Sequence, residues 1–267
     1  MLPAIPWRLE TVMRLTFLDR GPALIVEESI RVLVVGDLHL GIEADLSRHG
    51  LHIRSRSRER MDRVVSCIDS EEPDLLILLG DVKHNVPLTS RQEYRELPGI
   101  LDTLRAKVPI HLVPGNHDPG IERFFREREI LPRTGALIDN VGYLHGHTYP
   151  DHSLQGHLII SGHHHPLVTI RDQVGCALRT PGYLFAPVDD RCLQFPHPEE
   201  DGAGKTRVLF IPALNELAGY DILQTAKEPF SPLSRCMNAR ESEVFLADGT
   251  FIGSLLSLEE HGDHEGT

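Results

Sequence analysis

The sequence predicts an α/β protein, and three observations carry that reading. Its 267 residues are 40% hydrophobic and 25% charged, enough to bury a sizeable core. Short runs too apolar to be half exposed, such as Val32 to Val35, Leu75 to Leu79 and Ile110 to Val113, alternate with stretches of helical period. Each run also stops at a cluster of Gly, Asp, Asn and His. In open α/β sheets, ligands bind outside the carboxyl ends of the strands, where this arrangement would gather the clusters.

Taken in order, Leu15 to Leu18 and Ala23 to Val26 flank Asp19-Arg20-Gly21-Pro22 and read as a first hairpin. The run Val32 to Val35 ends at Gly36-Asp37-Leu38-His39. Asp37 and His39 stand two apart, so in extended backbone a carboxylate and an imidazole leave on one side; an Asx-type turn with a chance histidine is the alternative. Met61, Val64, Val65 and Ile68 mark an amphipathic helix that ends before Pro73, with Cys67 near its buried edge. The run Leu75 to Leu79 ends at Gly80-Asp81, followed by His84. A helical stretch with Tyr94, Leu97, Leu101 and Leu104 on one face is expected to start anew or kink at Pro98.

The third run, with a structural His111 inside it, leads into Pro114-Gly115-Asn116-His117-Asp118. Asp118 before Pro119 suits the N-cap of a helix carrying Ile121, Phe124 and Phe125 inward. Val141 to Leu144 leads into His145-Gly146-His147, and Leu158 to Ile160 into Gly162-His163-His164-His165-Pro166. Alone, that triple histidine reads as a polar loop facing water as readily as a pair of metal ligands. Further strands are expected at Leu167 to Ile170, Cys176 to Arg179 and Val208 to Ile211. Glu243 to Ala247 and Thr250 to Ile252 around Asp248-Gly249 read as a hairpin with a type I′ turn. Pro196 to Lys205 is expected to be an exposed loop, and Glu259 to Thr267 a mobile acidic tail. Gly204-Lys205-Thr206 is not a P-loop, since Glu199 stands where that motif needs glycine.

The net charge of -12 argues against a surface that attracts polyanions everywhere. Arg48, Arg54, Arg56, Arg58, Arg60 and Arg63 are a local exception, either a phosphate-facing patch or a helix face paired with acids. No stretch reaches the roughly 20 apolar residues of a membrane helix, and Met1 to Met13 is too short in apolar length for a signal peptide. Cys67, Cys176, Cys192 and Cys236 show no close spacing, so neither a CxxC metal site nor a disulfide framework is expected, and a cytoplasmic setting follows.

Together, Asp37-x-His39, Gly80-Asp81, Gly115-Asn116-His117-Asp118, His145-Gly146 and Gly162-His163-x-His165 resemble the five signature blocks of the calcineurin-like metallophosphoesterases, in order. Gly80-Asp81-x-x-His84 and Leu209 to Asn215 are similar to the ICC-like phosphoesterases of archaea and bacteria. The resemblance implies a four-layer αββα sandwich of two mixed sheets flanked by helices. It implies one domain over 1–267, with metal-binding blocks in 32–166, a β-rich completion in 167–258 and the flexible tail in 259–267. It further implies that Asp37, His39 and His165 hold one metal, that Asn116, His145 and His163 hold another, and that Asp81 bridges them. His117 would act on the substrate as proton donor or transition-state stabiliser, oriented by Asp118, and His164 would point elsewhere. No role is assigned to Ile211 to Asn215, expected near the rim.

The donor set of carboxylates, imidazoles and one amide suits two divalent transition metals, Mn²⁺ first, with Fe²⁺ or Zn²⁺ as alternatives, rather than Ca²⁺. Two such ions about 3.5–4 Å apart clamp an in-line displacement at phosphorus and generate hydroxide near neutral pH. The expected function is hydrolysis of phosphodiesters, of nucleotide or nucleic-acid type, by a metal-bridging hydroxide without a covalent enzyme intermediate. The alternatives are a phosphomonoesterase with the same metals and a non-catalytic scaffold. His84 and His147, each within three residues of an expected ligand, either bind a phosphate oxygen or support a ligand, or face solvent. No membrane partner is expected, and homo-oligomerisation is left open.

Overall fold

Alternation within the apolar runs decides the architecture. In β3 (Arg31–Gly36) and β4 (Leu75–Leu79), the side chains of Leu33, Val35, Leu76 and Leu78 enter one core cluster. Those of Val32, Val34, Leu75, Ile77 and Leu79 enter another. A strand with two apolar faces must be covered on both sides. In the computed structural model, which describes residues 13–171, 177–196 and 205–263, helices cover one face and a second sheet the other.

The first sheet has the order β1-β2-β3-β4-β5, where β1 is Arg14–Leu18, β2 is Ala23–Glu27 and β5 is Ile110–Leu112. The hairpin strands are antiparallel, and β3, β4 and β5 are parallel. The crossovers are α2 (Ser57–Glu71) and α3 (Arg91–Arg105), which bury Met61, Val64, Cys67 and Ile68, and Leu97, Leu101 and Leu104. The short α1 (Ile42–Arg48) precedes them.

The second sheet adds β6 (Ala136–Ile138), β7 (Val141–Leu144), β8 (Leu158–Ser161), β9 (Pro166–Arg171), β10 (Ala177–Pro187), β11 (Arg207–Phe210) and β12 (Tyr220–Asp221). Their order is β12-β9-β10-β11-β8-β7-β6. β13 (Glu243–Leu246) and β14 (Phe251–Ser254) extend it from β10. Parallel pairs β7–β8 and β8–β11 stand among antiparallel ones, so both sheets are mixed. The outer face packs on α4 (Ile222–Lys227), α5 (Pro232–Cys236) and α6 (Leu255–Asp263) through Ile222, Leu233 and Leu255. This completes the expected four layers. Between the sheets, the buried Tyr183 hydroxyl donates to Ala23 O at 3.0 Å.

Several local expectations are corrected. α3 does not restart at Pro98 but begins at a capping box of Ser90 and Glu93 and passes through the proline. After Asp118 there is no α-helix. Single 3₁₀ turns, Ile121–Arg123 and Glu127–Glu129, follow a left-handed Gly120 (φ 84°), because the Asp118 side chain is committed elsewhere. The β13–β14 hairpin is present, but only Gly249 in its turn has positive φ (85°), so the turn is not type I′, which needs two such residues. α6 runs into the expected tail as far as Asp263, with its Leu255 and Leu258 packed on the outer core and Glu259 paired with Lys227.

Cys192 and Cys236 form a disulfide across a sequence separation of 44, with Cα atoms 5.5 Å apart. Spacing could not show it, because β10 and α5 bring the two together in space. The expectation of a reducing compartment loses that support. Residues 1–12, 172–176, 197–204 and 264–267 lie outside the described residues, and with them Cys176, most of the Pro196 to Lys205 loop and the end of the tail.

Ile77 is fully buried between the sheets. Ile77→Ala should lower the unfolding free energy by about 2–5 kcal/mol, read as a lower urea midpoint with an unchanged slope.

Candidate metal centre

Parallel register brings the five clusters together. Gly36 of β3 is paired with Leu79 of β4, so the following loops run side by side: Asp37 N–H donates to Gly80 O at 3.2 Å and His39 N–H to Asp81 O at 2.8 Å. In the second sheet Leu144 of β7 pairs with Ser161 of β8, which aligns the loops of His145 and His163. The sheets meet where His163 N–H donates to Asp37 Oδ2 at 3.0 Å.

These loops are sharply bent. Asp37, His39, Asp81, His163 and His165 all have positive φ, between 43° and 72°, a region that non-glycine residues seldom occupy and that collects at functional sites. The backbone also approaches closely. A Cβ on Gly80 would strike the His145 ring, and one on Gly162 would lie 2.7 Å from Asp37 Oδ2.

Asp37, His39, Asp81 and His165 place one ligand atom each within 4.8 Å of one another, and so do Asp81, His145 and His163. Asp81 belongs to both groups. His145 Nε2 is 3.1 Å from Asp37 Oδ1 and 3.5 Å from Asp81 Oδ2, His165 Nε2 is 3.0 Å from Asp37 Oδ1, and His39 Nε2 is 3.7 Å from Asp81 Oδ2. Asn116 Oδ1 is buried without a hydrogen-bond partner, and His165 Nε2, although 3.0 Å from Asp37 Oδ1, makes no well-aligned hydrogen bond. Buried acceptors are rarely left so. An orphaned amide oxygen beside paired carboxylates and clustered imidazoles fits divalent transition metals.

Electrostatics agrees with that chemistry. Burial pushes the Asp37 carboxyl up, but His165 and His145 beside it outweigh this and hold it well below the ordinary range. Asp81 is raised by burial and by Asp37. Burial holds His39 well below 6.5 and, with His145, takes His163 down to about 2, so both rings are neutral and open to a metal. Burial opposes a charge on His145 too, yet its hydrogen bond to Asp37 and the charge of Asp81 raise it.

His84 and His147 occupy equivalent positions. His84 Nδ1 lies 3.3 Å from His39 Nδ1, and His147 Nδ1 lies 3.0 Å from His145 Nδ1, each on the ring nitrogen opposite the Nε2 that faces the carboxylates. Burial lowers His84, and burial with His145 takes His147 down to about 4. His84, His39 and His117 form a third close group. His117 N–H donates to Asp81 Oδ1 at 2.8 Å, while its Nδ1 is 2.5 Å from His84 O.

Asp118 is buried and accepts from Gly115 N at 2.8 Å and Lys83 N at 3.3 Å. Burial and Asp81 raise its carboxyl to about 6. Its hydrogen bonds thus shape the loop around Asn116 rather than reaching the His117 ring. His164 is buried away from both groups, with Nε2 2.9 Å from Ser231 Oγ, and burial takes it to about 3.

Two features were not assigned from sequence. Asn215 is fully buried and its Nδ2 donates to Leu38 O at 2.9 Å and His39 O at 3.3 Å, clamping the first ligand loop. The arginine segment is mostly paired with acids: fully buried Arg60 bridges Glu43 and Glu216, Arg56 and Arg63 also reach Glu216, and Arg48 reaches Asp45. Arg54 and Arg58 are exposed.

Outer partners of metal ligands are worth about 10–100-fold in affinity. Asn215→Ala should therefore weaken divalent-metal binding about tenfold by calorimetry while the circular dichroism spectrum is kept; unchanged binding would mean the loop is held without the clamp. Protons compete with the metal for His145, whose proton affinity is raised. Divalent-metal affinity should accordingly begin to fall on acidification already in the neutral range, and calorimetry in buffers of different ionisation enthalpy should show proton release on binding.

Residues 30–173 match the family model described as calcineurin-like phosphoesterase. Among solved structures the chain is similar to the Pseudomonas putida nuclease MPE, at 17% identity and a TM-score of 0.55, over 89% of this chain and 98% of that one. It also aligns with Yfce, a phosphoesterase from E. coli, at 13% identity and a TM-score of 0.40, over 83% of this chain and 96% of that one. The family match spans over half of the chain, and the fold and the clustered Asp and His side chains agree with it: this protein belongs to the calcineurin-like phosphoesterases and is a metal-dependent phosphoesterase.

Proposed function

We propose that the protein hydrolyses phosphodiester bonds of nucleotides or nucleic acids, with two divalent ions, Mn²⁺ first, held by Asp37, His39 and His165 on one side and by Asn116, His145 and His163 on the other. The observation that carries this reading is the carboxylate of Asp81, shared by both groups of ligand atoms. When bound, such a pair of ions polarises the phosphoryl oxygens and makes water nucleophilic near neutral pH. No attacking side chain is then required, and in-line displacement proceeds without a phosphoenzyme.

The protein's own residues position the ions and manage a proton. His117 is fixed through its backbone to Asp81 and through Nδ1 to the His84 carbonyl. A carbonyl only accepts, so Nδ1 carries a hydrogen and Nε2 is left to serve the leaving oxygen. Asp118 holds the turn that presents Asn116 and His117. His84 and His147 fix the rings of His39 and His145 from behind, the support that ligating imidazoles usually have.

The diester preference draws on the resemblance to ICC-like phosphoesterases, and a nuclease among the similar folds is in keeping with it. The arginine segment contributes little, since most of its guanidinium groups are taken by carboxylates. A monoesterase remains the alternative that the same metals would serve.

The deciding experiment adds Mn²⁺ back to metal-stripped protein and assays a generic diester, a generic monoester, cyclic nucleotides, and single- and double-stranded DNA and RNA. Diester turnover is expected to dominate, and His117→Ala should lower kcat about 10²–10⁴-fold with two metals still bound by elemental analysis. Monoester turnover alone would establish the alternative, and a trapped phosphoenzyme would overturn the mechanism.

A further inference from the structure

Phe230 lies between α4 and α5 and is 41% exposed, although its ring centroid is only 5.2 Å from that of His163. One face of the ring is covered by His164, 4.7 Å away and tilted by 30°. His163 and Tyr220 pack against it at steep angles, 65° and 81°. Phe230 thus keeps exposed surface beside the loop that carries His163, with His164 backing one face of its ring.

The ring is held firmly. Arg235 Nη2 donates to Phe230 O at 3.2 Å, and the next residue, Ser231, is buried, caps α5 and hydrogen-bonds His164. α5 is tied by Cys236 to Cys192. A contact surface ordered before binding loses little entropy when it is used.

Coulomb attraction offers the substrate little beyond the metal centre. The chain carries a net charge of -12, and Arg48, Arg56, Arg60 and Arg63 are engaged by carboxylates. A flat aromatic face next to a phosphate-binding centre recognises a planar group a few bonds from that phosphate. We propose that Phe230 is a stacking platform for the nucleobase flanking the scissile phosphodiester on the His163 side, and that it selects unpaired strands, whose bases are free to leave the helical stack. This inference rests on the phosphodiesterase reading and adds a substrate subsite to it.

The test compares Mn²⁺-loaded wild type with Phe230→Ala, Phe230→Leu and Phe230→Tyr on three dinucleotides: thymidylyl-thymidine and the two analogues in which one base is replaced by an abasic tetrahydrofuran. Wild type should prefer the intact dinucleotide over one of the abasic pair by roughly 5- to 100-fold in kcat/KM. The Ala and Leu variants should lose that preference while keeping their activity on the abasic substrate, and Tyr should restore it. A binding arm uses a single-stranded oligonucleotide carrying 2-aminopurine on His117→Ala protein, where the probe's quenching should require Phe230. Equal turnover of all three substrates by wild type would overturn the proposal and leave the phosphodiesterase reading standing. So would an equal loss on all three in Phe230→Ala, which would mark a packing defect against His164. Absence of any diester turnover by wild type would overturn both.

Discussion

Two carboxylates, those of Asp37 and Asp81, are buried within reach of the same imidazole, and the rest of the molecule answers to that fact. Burial opposes the charge on each, and each charge opposes the other. Only a concentrated positive charge makes the pair tolerable. Without metal the histidines supply part of it, with His145 drawn toward its protonated form. A divalent pair supplies more, and by mass action whatever binds the native arrangement stabilises it. Metal binding and folding of this region are thus thermodynamically linked.

Keeping such a site open requires backbone that ordinary packing would not choose. Five of the expected ligands have left-handed φ, each at a cost of order 1–3 kcal/mol. What offsets this is the parallel ladder beneath them. Backbone hydrogen bonds from Asp37 to Gly80 and from His39 to Asp81 continue the β3–β4 register past the ends of the strands, and Asn215 donates to the carbonyl of Leu38 and also to that of His39, which accepts from Ile42 N–H as well.

The sequence was legible wherever one local signal sufficed. Buried strands such as Leu75 to Leu79 are contiguous apolar runs, and ligand side chains must stand at their carboxyl ends, so both could be read by position. Features that depend on encounters between distant segments could not. Asn215 and Leu38 are 177 residues apart, and Cys192 and Cys236 meet only because the segment after β10 pairs with the end of α5, where Asp189 N–H donates to Cys236 O at 2.9 Å. Asp118 misled for a different reason. Its type and its neighbour Pro119 suit a helix cap, but a buried carboxylate takes the backbone donors closest to it, and here those belong to Gly115 and Lys83. The arginine segment was ambiguous because pairing depends on Glu216, which lies far along the chain.

The proposed ligands are divided between the sheets: Asp37, His39, Asp81 and Asn116 follow strands of the first, and His145, His163 and His165 follow β7 and β8 of the second. The apolar layer between them, which includes Ile77, Ile160 and Tyr183, is therefore a spacer whose thickness sets how closely side chains from the two sheets approach one another at the candidate centre. Interiors are packed about as densely as organic crystals and yield little to strain. A core far from the donor atoms thereby helps to fix the geometry of the candidate centre, and side-chain volume there bears on that geometry as well as on stability.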